Sequence, residues 1–200
     1  SHYSESRGVP ELRRLLAEVH RQKEGVSLDV DEGVMVTAGS KLATYLTYIS
    51  LLNPGDEVLL HEPACVSYRE HARLVGANVT FVPFDADVST FLRALPQDSR
   101  VKLVTLNNPN NPRGHLYSSQ ELRAIAEETS RRGIWLVIDE SYSDFLQEDE
   151  DFLGALTLMR DHERIIGLQS LSKNYGLSGW RIGYVTGPPE FIRVANSFNQ

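Results

Sequence analysis

A single lysine stands among small hydroxyl and glycine residues in the segment from Ser170 to Arg181, which reads SLSKNYGLSGWR. The amine of Lys173, at the end of a predicted strand, could form an imine with the aldehyde of a phosphorylated cofactor. The hydroxyls of Ser170 and Ser172 could donate to phosphate oxygens, and the guanidinium of Arg181 could bind the same phosphate through two parallel hydrogen bonds. These residues would equally suit a solvated polar loop, so the spacing alone leaves both interpretations open.

Three other polar groups also follow apolar, strand-like runs. Asp139 ends such a run, and a carboxylate buried there needs a cation or several hydrogen-bond donors as partners. A protonated pyridine nitrogen would be such a partner, and Tyr142 could bind a phenolic oxygen of the same ring. Alternatively, Asp139 only caps the helix that follows it. The loop 107–114, NNPNNPRG, is a turn rich enough in proline and asparagine to favour a binding site. Residues 39–41 open a helix whose amides could bind an anion, or one that Ser40 merely caps.

The elements that must position these residues alternate between strand and helix. Helical spacing is found at 10–23, 42–52, 67–74, 90–95 and 118–131, mostly between strand candidates. Such alternation predicts a doubly wound α/β fold with helices on both faces of a mainly parallel sheet, and ligands bind beyond the carboxyl ends of its strands. The seven strand candidates are 34–37, 57–60, 78–82, 101–106, 134–138, 164–168 and 182–185.

Bulk properties limit the class of protein. The 200 residues carry a formal net charge of -7, which argues against nucleic acid or an anionic membrane as the main partner. Cys65 is the only cysteine, so no internal disulfide can form and a cytoplasmic location is expected. The histidines show no metal-ligand spacing, so no metal site is expected.

Taken together, these segments resemble the class I and II aminotransferases, which are pyridoxal-phosphate enzymes of fold type I. The resemblance covers nearly the whole chain and implies a three-layer αβα fold with pyridoxal 5'-phosphate as cofactor. It implies that Lys173 carries the cofactor as a Schiff base, with Asp139 and Tyr142 as further catalytic residues. Asp139 would bind the ring nitrogen, and Asn111 and Tyr142 the phenolic oxygen.

The resemblance also implies a phosphate site and a partner. Backbone amides of Gly39, Ser40 and Lys41 would bind the phosphate together with Ser170, Ser172 and Arg181. Tyr3 resembles the tyrosine that reaches the phosphate of the other subunit, which implies a homodimer with shared active sites.

Cys65 departs from the family pattern. In the segment 62–68, EPACVSY, the family usually has an aromatic residue that stacks on the cofactor ring. A thiol is smaller and polarisable, so we expect weaker stacking and a roomier pocket. Either Cys65 faces the ring and admits an unusual substrate, or a nearby aromatic covers the ring instead.

The expected function is transfer of an amino group between an amino acid and a 2-oxo acid. Residues 1–200 are expected to form the cofactor-binding large domain, with an N-terminal arm and a C-terminal small domain outside this chain. One alternative is a lyase or a cyclising synthase resembling aminocyclopropane-carboxylate synthase. The other is a non-catalytic, aminotransferase-like sensor domain.

Overall fold

A computed structural model describes residues 5–83, 88–95, 100–147 and 149–200. Seven strands form one sheet in the order β1-β7-β6-β5-β4-β2-β3. The first and last residues of each predicted strand differ from those of the observed strand by at most two positions. The strands are β1 (Val34–Thr37), β2 (Glu57–Glu62), β3 (Asn78–Pro83), β4 (Val101–Asn107), β5 (Trp135–Asp139), β6 (Ile165–Ser170) and β7 (Gly183–Thr186).

Helices connect most of these strands. The five predicted helices are present, and three further ones follow β5, β6 and β7. The helices are α1 (Pro10–Glu24), α2 (Ser40–Leu51), α3 (Val66–Leu74), α4 (Val88–Ala94), α5 (Ser119–Arg131), α6 (Ala155–Leu158), α7 (Leu171–Asn174) and α8 (Pro189–Ser197), with 3₁₀ turns at Ser143–Phe145 and Ser178–Trp180. No helix in the described ranges is both long and apolar enough to cross a membrane.

The sheet separates two apolar layers, as the three-layer prediction requires. One layer packs α2, α3 and α8 against strand residues such as Val137 and Val185. The other packs α4, α5 and α6 against the opposite face, where Ile138 lies. A smaller cluster joins Leu16 of α1 to Val34 and Tyr184. Alternate residues of one strand therefore serve opposite layers, so the central strands are apolar throughout.

The strand directions bring the polar segments to one edge of the sheet. Neighbouring strands from β3 through β6 run parallel, whereas β7 is antiparallel to both β6 and β1. The carboxyl ends of β1, β4, β5 and β6 and the amino end of β7 therefore share an edge. The residues that follow or precede these ends must meet there.

Candidate active site

A cavity of about 500 Å³ opens at this edge of the sheet. Residues from the ends of β4, β5 and β6 and from the starts of α2 and α3 line it. They are Ser40, Lys41, Thr44, Cys65, Ser67, Tyr68, Asn107, Asn111, Asp139, Ser141, Tyr142, Ser170, Ser172, Lys173, Ser178 and Arg181. The cavity is therefore polar and contains both cationic and anionic side chains.

Lys173 reaches the cavity from the short helix α7, directly after β6. The side chain of Ser170 caps this helix, because its Oγ accepts a hydrogen bond of 3.2 Å from the backbone N–H of Ser172. The N–H of Leu171 donates to the carbonyl of Ile182 at 3.0 Å, which ties the helix to the start of β7. The exposed amine of Lys173 thus stands on an anchored turn.

Asp139 ends β5 and is 8% exposed. Its Oδ2 accepts a hydrogen bond of 2.6 Å from the Tyr68 hydroxyl, and its Oδ1 accepts from the N–H and hydroxyl of Ser141 at 3.0 and 2.6 Å. Burial raises the pKa of the Asp139 carboxyl, and the bonds from Ser141 and Tyr68 oppose that rise. These described donors are all neutral, so a cationic N–H group would be a well-matched further partner.

Asn111 and Tyr142 form a second pair of donors beside Asp139. The Nδ2 of Asn111 donates to the Tyr142 hydroxyl at 3.1 Å. Asn107 fixes the loop that carries Asn111: its Oδ1 accepts from the Asn111 N–H at 2.6 Å, and its Nδ2 donates to the Asp139 carbonyl at 2.9 Å. Burial, followed by the charge of Asp139, raises the pKa of the Tyr142 phenol, so this group stays a donor at neutral pH.

The part of the cavity at the start of α2 is suited to an anion. Gly39 precedes the twelve-residue helix α2 with φ of +85°, and a Cβ built there would lie 2.5 Å from Nη2 of Arg181. A Cβ on Gly183 would lie 2.5 Å from the backbone nitrogen of Ser40. Two glycines thus let the guanidinium and the start of β7 approach the amino end of α2, where amides and the helix dipole favour negative charge.

If the resemblance to pyridoxal-phosphate enzymes holds at this site, Gly39→Ala should weaken binding of that cofactor by roughly tenfold, because the methyl group displaces Arg181 as well as straining the backbone. Gly55→Ala is the matched control, since Gly55 has φ of +92° and a Cβ added there would meet no atom within 4 Å. Both variants should lose roughly 1–2 kcal/mol of stability in urea titrations, but only Gly39→Ala should lose affinity in fluorescence titrations. Equal affinities in the two variants would refute the role assigned to this contact.

The structure brings together every described residue that the sequence predicts for the site. Ten of these residues line the cavity, and Gly39 touches Arg181 beside it. Cys65 lies at the wall just before α3, with its Sγ 3.1 Å from the Ser67 hydroxyl. The predicted Tyr3 lies outside the described residues.

Six lining residues were not assigned to the site individually, although Asn107 belongs to the loop 107–114 that was predicted to favour one: Thr44, Ser67, Tyr68, Asn107, Ser141 and Ser178. Two of them had a usable signal. Asn107 is the last residue of β4, and Thr44 lies one helical turn after Ser40. Tyr68 lies three residues after Cys65 on α3, and its contact with Asp139 depends on how that helix packs.

These features fit pyridoxal phosphate, which carries a phosphate ester, an aldehyde and a ring nitrogen at different positions of one small ring. The glycine-lined region at α2 would hold a phosphate, and the buried Asp139 would hold a protonated ring nitrogen. Lys173 supplies an amine to the same cavity.

Comparison with known proteins identifies the family. The model of the family described as aminotransferase class I and II matches residues 1–200. The chain belongs to the class I and II aminotransferase family. A probable aspartate/prephenate aminotransferase of Aquifex aeolicus is 36% identical over 98% of this chain and 51% of that protein. An arginine–pyruvate transaminase of Pseudomonas aeruginosa is 35% identical over 94% of this chain and 48% of its own length.

Solved structures of aminotransferases share the fold. N-succinyldiaminopimelate aminotransferase from Mycobacterium tuberculosis superposes with a TM-score of 0.92 at 31% identity, over all of this chain and 53% of that one. This aminotransferase chain spans about half the length of the relatives it matches. The predicted fold class, a fold type I α/β sheet, is thereby confirmed.

Proposed function

We propose that this protein is a pyridoxal-phosphate-dependent aminotransferase that moves an amino group between an amino acid and a 2-oxo acid. The observation that carries the proposal is the placement of Lys173, Asp139 and Arg181 around one cavity of about 500 Å³. An amine, a buried carboxylate and an anion-binding guanidinium are what the cofactor's aldehyde, ring nitrogen and phosphate require. Residues 1–200 would act as the cofactor-binding large domain.

Each end of the cofactor would meet a distinct set of residues. Gly39, Ser40 and Lys41 would bind the phosphate through backbone amides, with Ser170, Ser172 and Arg181 as side-chain ligands. Asn111 and Tyr142, already paired at 3.1 Å, would donate to the phenolic oxygen. The carboxylate of Asp139 would keep the ring nitrogen protonated, and the hydroxyl of Tyr68 would keep that carboxylate oriented.

When bound, pyridoxal phosphate supplies an aldehyde that condenses with amines and a ring that accepts electrons. Lys173 would hold this aldehyde through its Nζ. As a free amine, the same Nζ would be the general base that takes up the α-proton of the substrate and later releases it. The cap of α7 by Ser170 would hold the helix that carries Lys173 in place.

Two half-reactions test this function. We expect an amino acid alone to release one equivalent of 2-oxo acid per active site, and a second 2-oxo acid then to be aminated. Release of a leaving group, with continued turnover and no acceptor, would instead identify a lyase or a cyclising synthase. Cofactor binding without turnover on any of the twenty amino acids would identify a sensor domain.

The amino donor should depend on the space at Cys65. Names of relatives refer to aspartate, prephenate and arginine, so family membership alone leaves the donor open. Because an aromatic stacking contact contributes about 0.5–1.5 kcal/mol, we expect Cys65→Tyr to tighten cofactor binding about two- to tenfold. The same change should lower kcat/KM for bulky amino acids more than for alanine.

Cys65→Ser is the control, since it keeps the volume of the side chain. It should leave the order of substrate preference unchanged. If Cys65→Tyr altered neither cofactor affinity nor substrate preference, Cys65 would not face the ring, and the alternative of a nearby covering aromatic would stand.

The proposal extends to assembly and location. We propose a homodimer in which Tyr3 of one subunit reaches the phosphate of the other. A monomer in light scattering, or unchanged cofactor affinity in Tyr3→Phe, would contradict it. The lone cysteine agrees with a cytoplasmic location.

A further inference from the structure

Glu140 is a buried carboxyl group that the proposed reaction does not use. It directly follows Asp139 and is 2% exposed. The two side chains leave the end of β5 on opposite faces of the sheet, as consecutive strand residues do. Asp139 lines the cofactor cavity, whereas Glu140 lines a second cavity of about 630 Å³ beneath α1.

The contacts of Glu140 join three elements. One carboxylate oxygen accepts a hydrogen bond of 2.6 Å from the N–H of Ala155, the first residue of α6. The other accepts from Nε2 of Gln169, the penultimate residue of β6. In addition, the Glu140 N–H donates to the carbonyl of Leu168 at 2.9 Å. Both the backbone and the side chain of Glu140 therefore hold the end of β6.

The residues after Gln169 carry the reactive amine. Ser170 follows at once, caps α7 and lines both cavities, and Lys173 stands three residues later. A displacement of Gln169 therefore moves the cap and the helix that present Lys173. Asp139 and Lys173 thus stand at the ends of two adjacent strands, β5 and β6. On the other face of the sheet, the contact between Glu140 and Gln169 links these two ends.

Strands β5 and β7 pair with the two edges of β6, and the bridge from Glu140 adds a side-chain contact on the face of β6 toward α6. Gly167 has no side chain to pack against α6, and a Cβ there would lie 2.6 Å from Thr186 Oγ1 and 3.1 Å from Ala155 Cβ. A hydrogen bond in such a dry environment is stronger and more directional than the same bond in water. The carboxyl group of Glu140 lies beside this glycine, since the same Cβ would be 3.8 Å from Glu140 Oε2.

The surroundings of Glu140 disfavour the charged form of its carboxyl group. Burial, followed by the charge of nearby Glu24, raises the pKa of the Glu140 carboxyl well above its usual range. The carboxylate of Glu24 faces the same turn, since a Cβ added to Gly154 would overlap its Oε2. A glutamine at position 140 can accept from the Ala155 N–H through its Oε1, and its Nε2 can donate to the Gln169 side chain once that amide turns to present its oxygen, whereas alanine can make neither contact.

We propose that Glu140 is a positioning residue for Lys173: through Gln169 it fixes the end of β6, and hence Nζ of Lys173, relative to Asp139. This inference rests on the proposed function, in which Lys173 forms the covalent link to pyridoxal phosphate. It adds a residue that touches neither cofactor nor substrate. Its influence reaches the site through the sheet.

The test measures how fast Lys173 reacts. Cofactor-free protein is mixed with pyridoxal phosphate, the link is trapped with borohydride at set times, and the modified peptide containing Lys173 is quantified by mass spectrometry. We expect Glu140→Ala to slow formation of the link by roughly tenfold or more, because displacement of a reacting group is costly. Glu140→Gln should react within about twofold of wild type, and Glu127→Ala, on the exposed face of α5, should be unchanged.

Two outcomes would overturn the inference. In one, Glu140→Ala forms the link as fast as wild type, and in the other, Glu140→Gln forms it as slowly as Glu140→Ala. A role in stability alone would lower the urea midpoint of Glu140→Ala but leave its rate unaltered under conditions where it is folded. If Glu140→Ala does not fold, Gln169→Leu breaks the same bridge from β6, and it should show the slow rate.

The wild-type reaction separates this inference from the proposed function. If wild-type protein forms no trappable link at Lys173, the proposed function itself fails. If wild type reacts and Glu140→Ala reacts equally fast, only the positioning role of Glu140 fails. A double variant, Glu140→Ala with Gln169→Leu, should be no slower than the slower single variant, because both changes remove one shared contact.

Discussion

Replacing Lys173 by alanine should eliminate the covalent link to pyridoxal phosphate and lower amino transfer by about 10⁴-fold or more. The variant loses both the amine that holds the aldehyde and the base that moves the substrate proton. Gly39, Ser40 and Arg181 would remain, so the cofactor should still bind through its phosphate. Absorption spectra, borohydride trapping and single-turnover kinetics would measure the three effects separately.

The control is Lys102→Ala, which removes an exposed lysine at the start of β4. It should retain the absorption spectrum, the trapped peptide and the turnover of wild type. Lys41 also lines the cavity, so the mass of the trapped peptide must show which of the two lysines carries the cofactor. A trapped cofactor on Lys41 in wild-type protein would mean that the reactive lysine had been assigned wrongly.

Asp139→Asn should lower turnover by about 10²–10³-fold, as loss of a preorganised charge typically does. An amide cannot hold a proton on the ring nitrogen, so the ring would accept electrons less readily. Asparagine nevertheless keeps the volume of the side chain and can bond with Tyr68 and Ser141. Binding of pyridoxal phosphate should therefore weaken much less than turnover.

The same substitution should make the cofactor-free protein more resistant to urea at neutral pH. Because burial raises the pKa of Asp139, the folded state holds its proton more tightly than the unfolded state. Stability therefore falls as pH rises from the ordinary aspartate range near about 4 through the raised pKa of the folded state. Asparagine carries no charge at any of these pH values, so Asp139→Asn does not suffer this loss of stability. At acidic pH, the urea midpoints of the variant and wild type should become equal.

Asp161→Asn provides the comparison, since Asp161 is exposed. Urea midpoints of wild type and both variants would be compared from acidic to neutral pH. A midpoint for Asp139→Asn below that of wild type at neutral pH would show that the unliganded carboxylate stabilises the fold. The assignment of Asp139 as a group that awaits a cation would then be wrong.

The sheet and most of the site could be predicted from the sequence because the end of each strand is marked there by a change from apolar to polar residues. Apolar runs marked the strands, and polar residues that followed them, such as Asp139 and Lys173, had to meet at one edge. Short elements escaped: α6 and α7 have four residues each, too few to show a helical period. The direction of β7 was also open, because the connection from β6 has about the length at which parallel and antiparallel returns both occur.

Contacts made through side-chain direction were harder to foresee. Tyr68 reaches Asp139 only because α3 packs with that face toward β5. Glu140 had a signal, since the residue after Asp139 must point to the other face of the sheet. Its bridge to Gln169, however, depends on the lateral alignment of two strands, which a linear pattern does not contain.

The place of β7 in the sheet also sets an order for synthesis of the protein. β1 occupies the sheet edge, and its neighbour is β7, one of the last segments of this chain to be made. While the ribosome is still extending the chain, β2 through β6 can already pair, but β1 lacks its partner in the sheet until β7 is made. Gly39, which follows β1, would therefore take its place beside Arg181 and Gly183 later than Asp139 and Lys173 take theirs in the sheet.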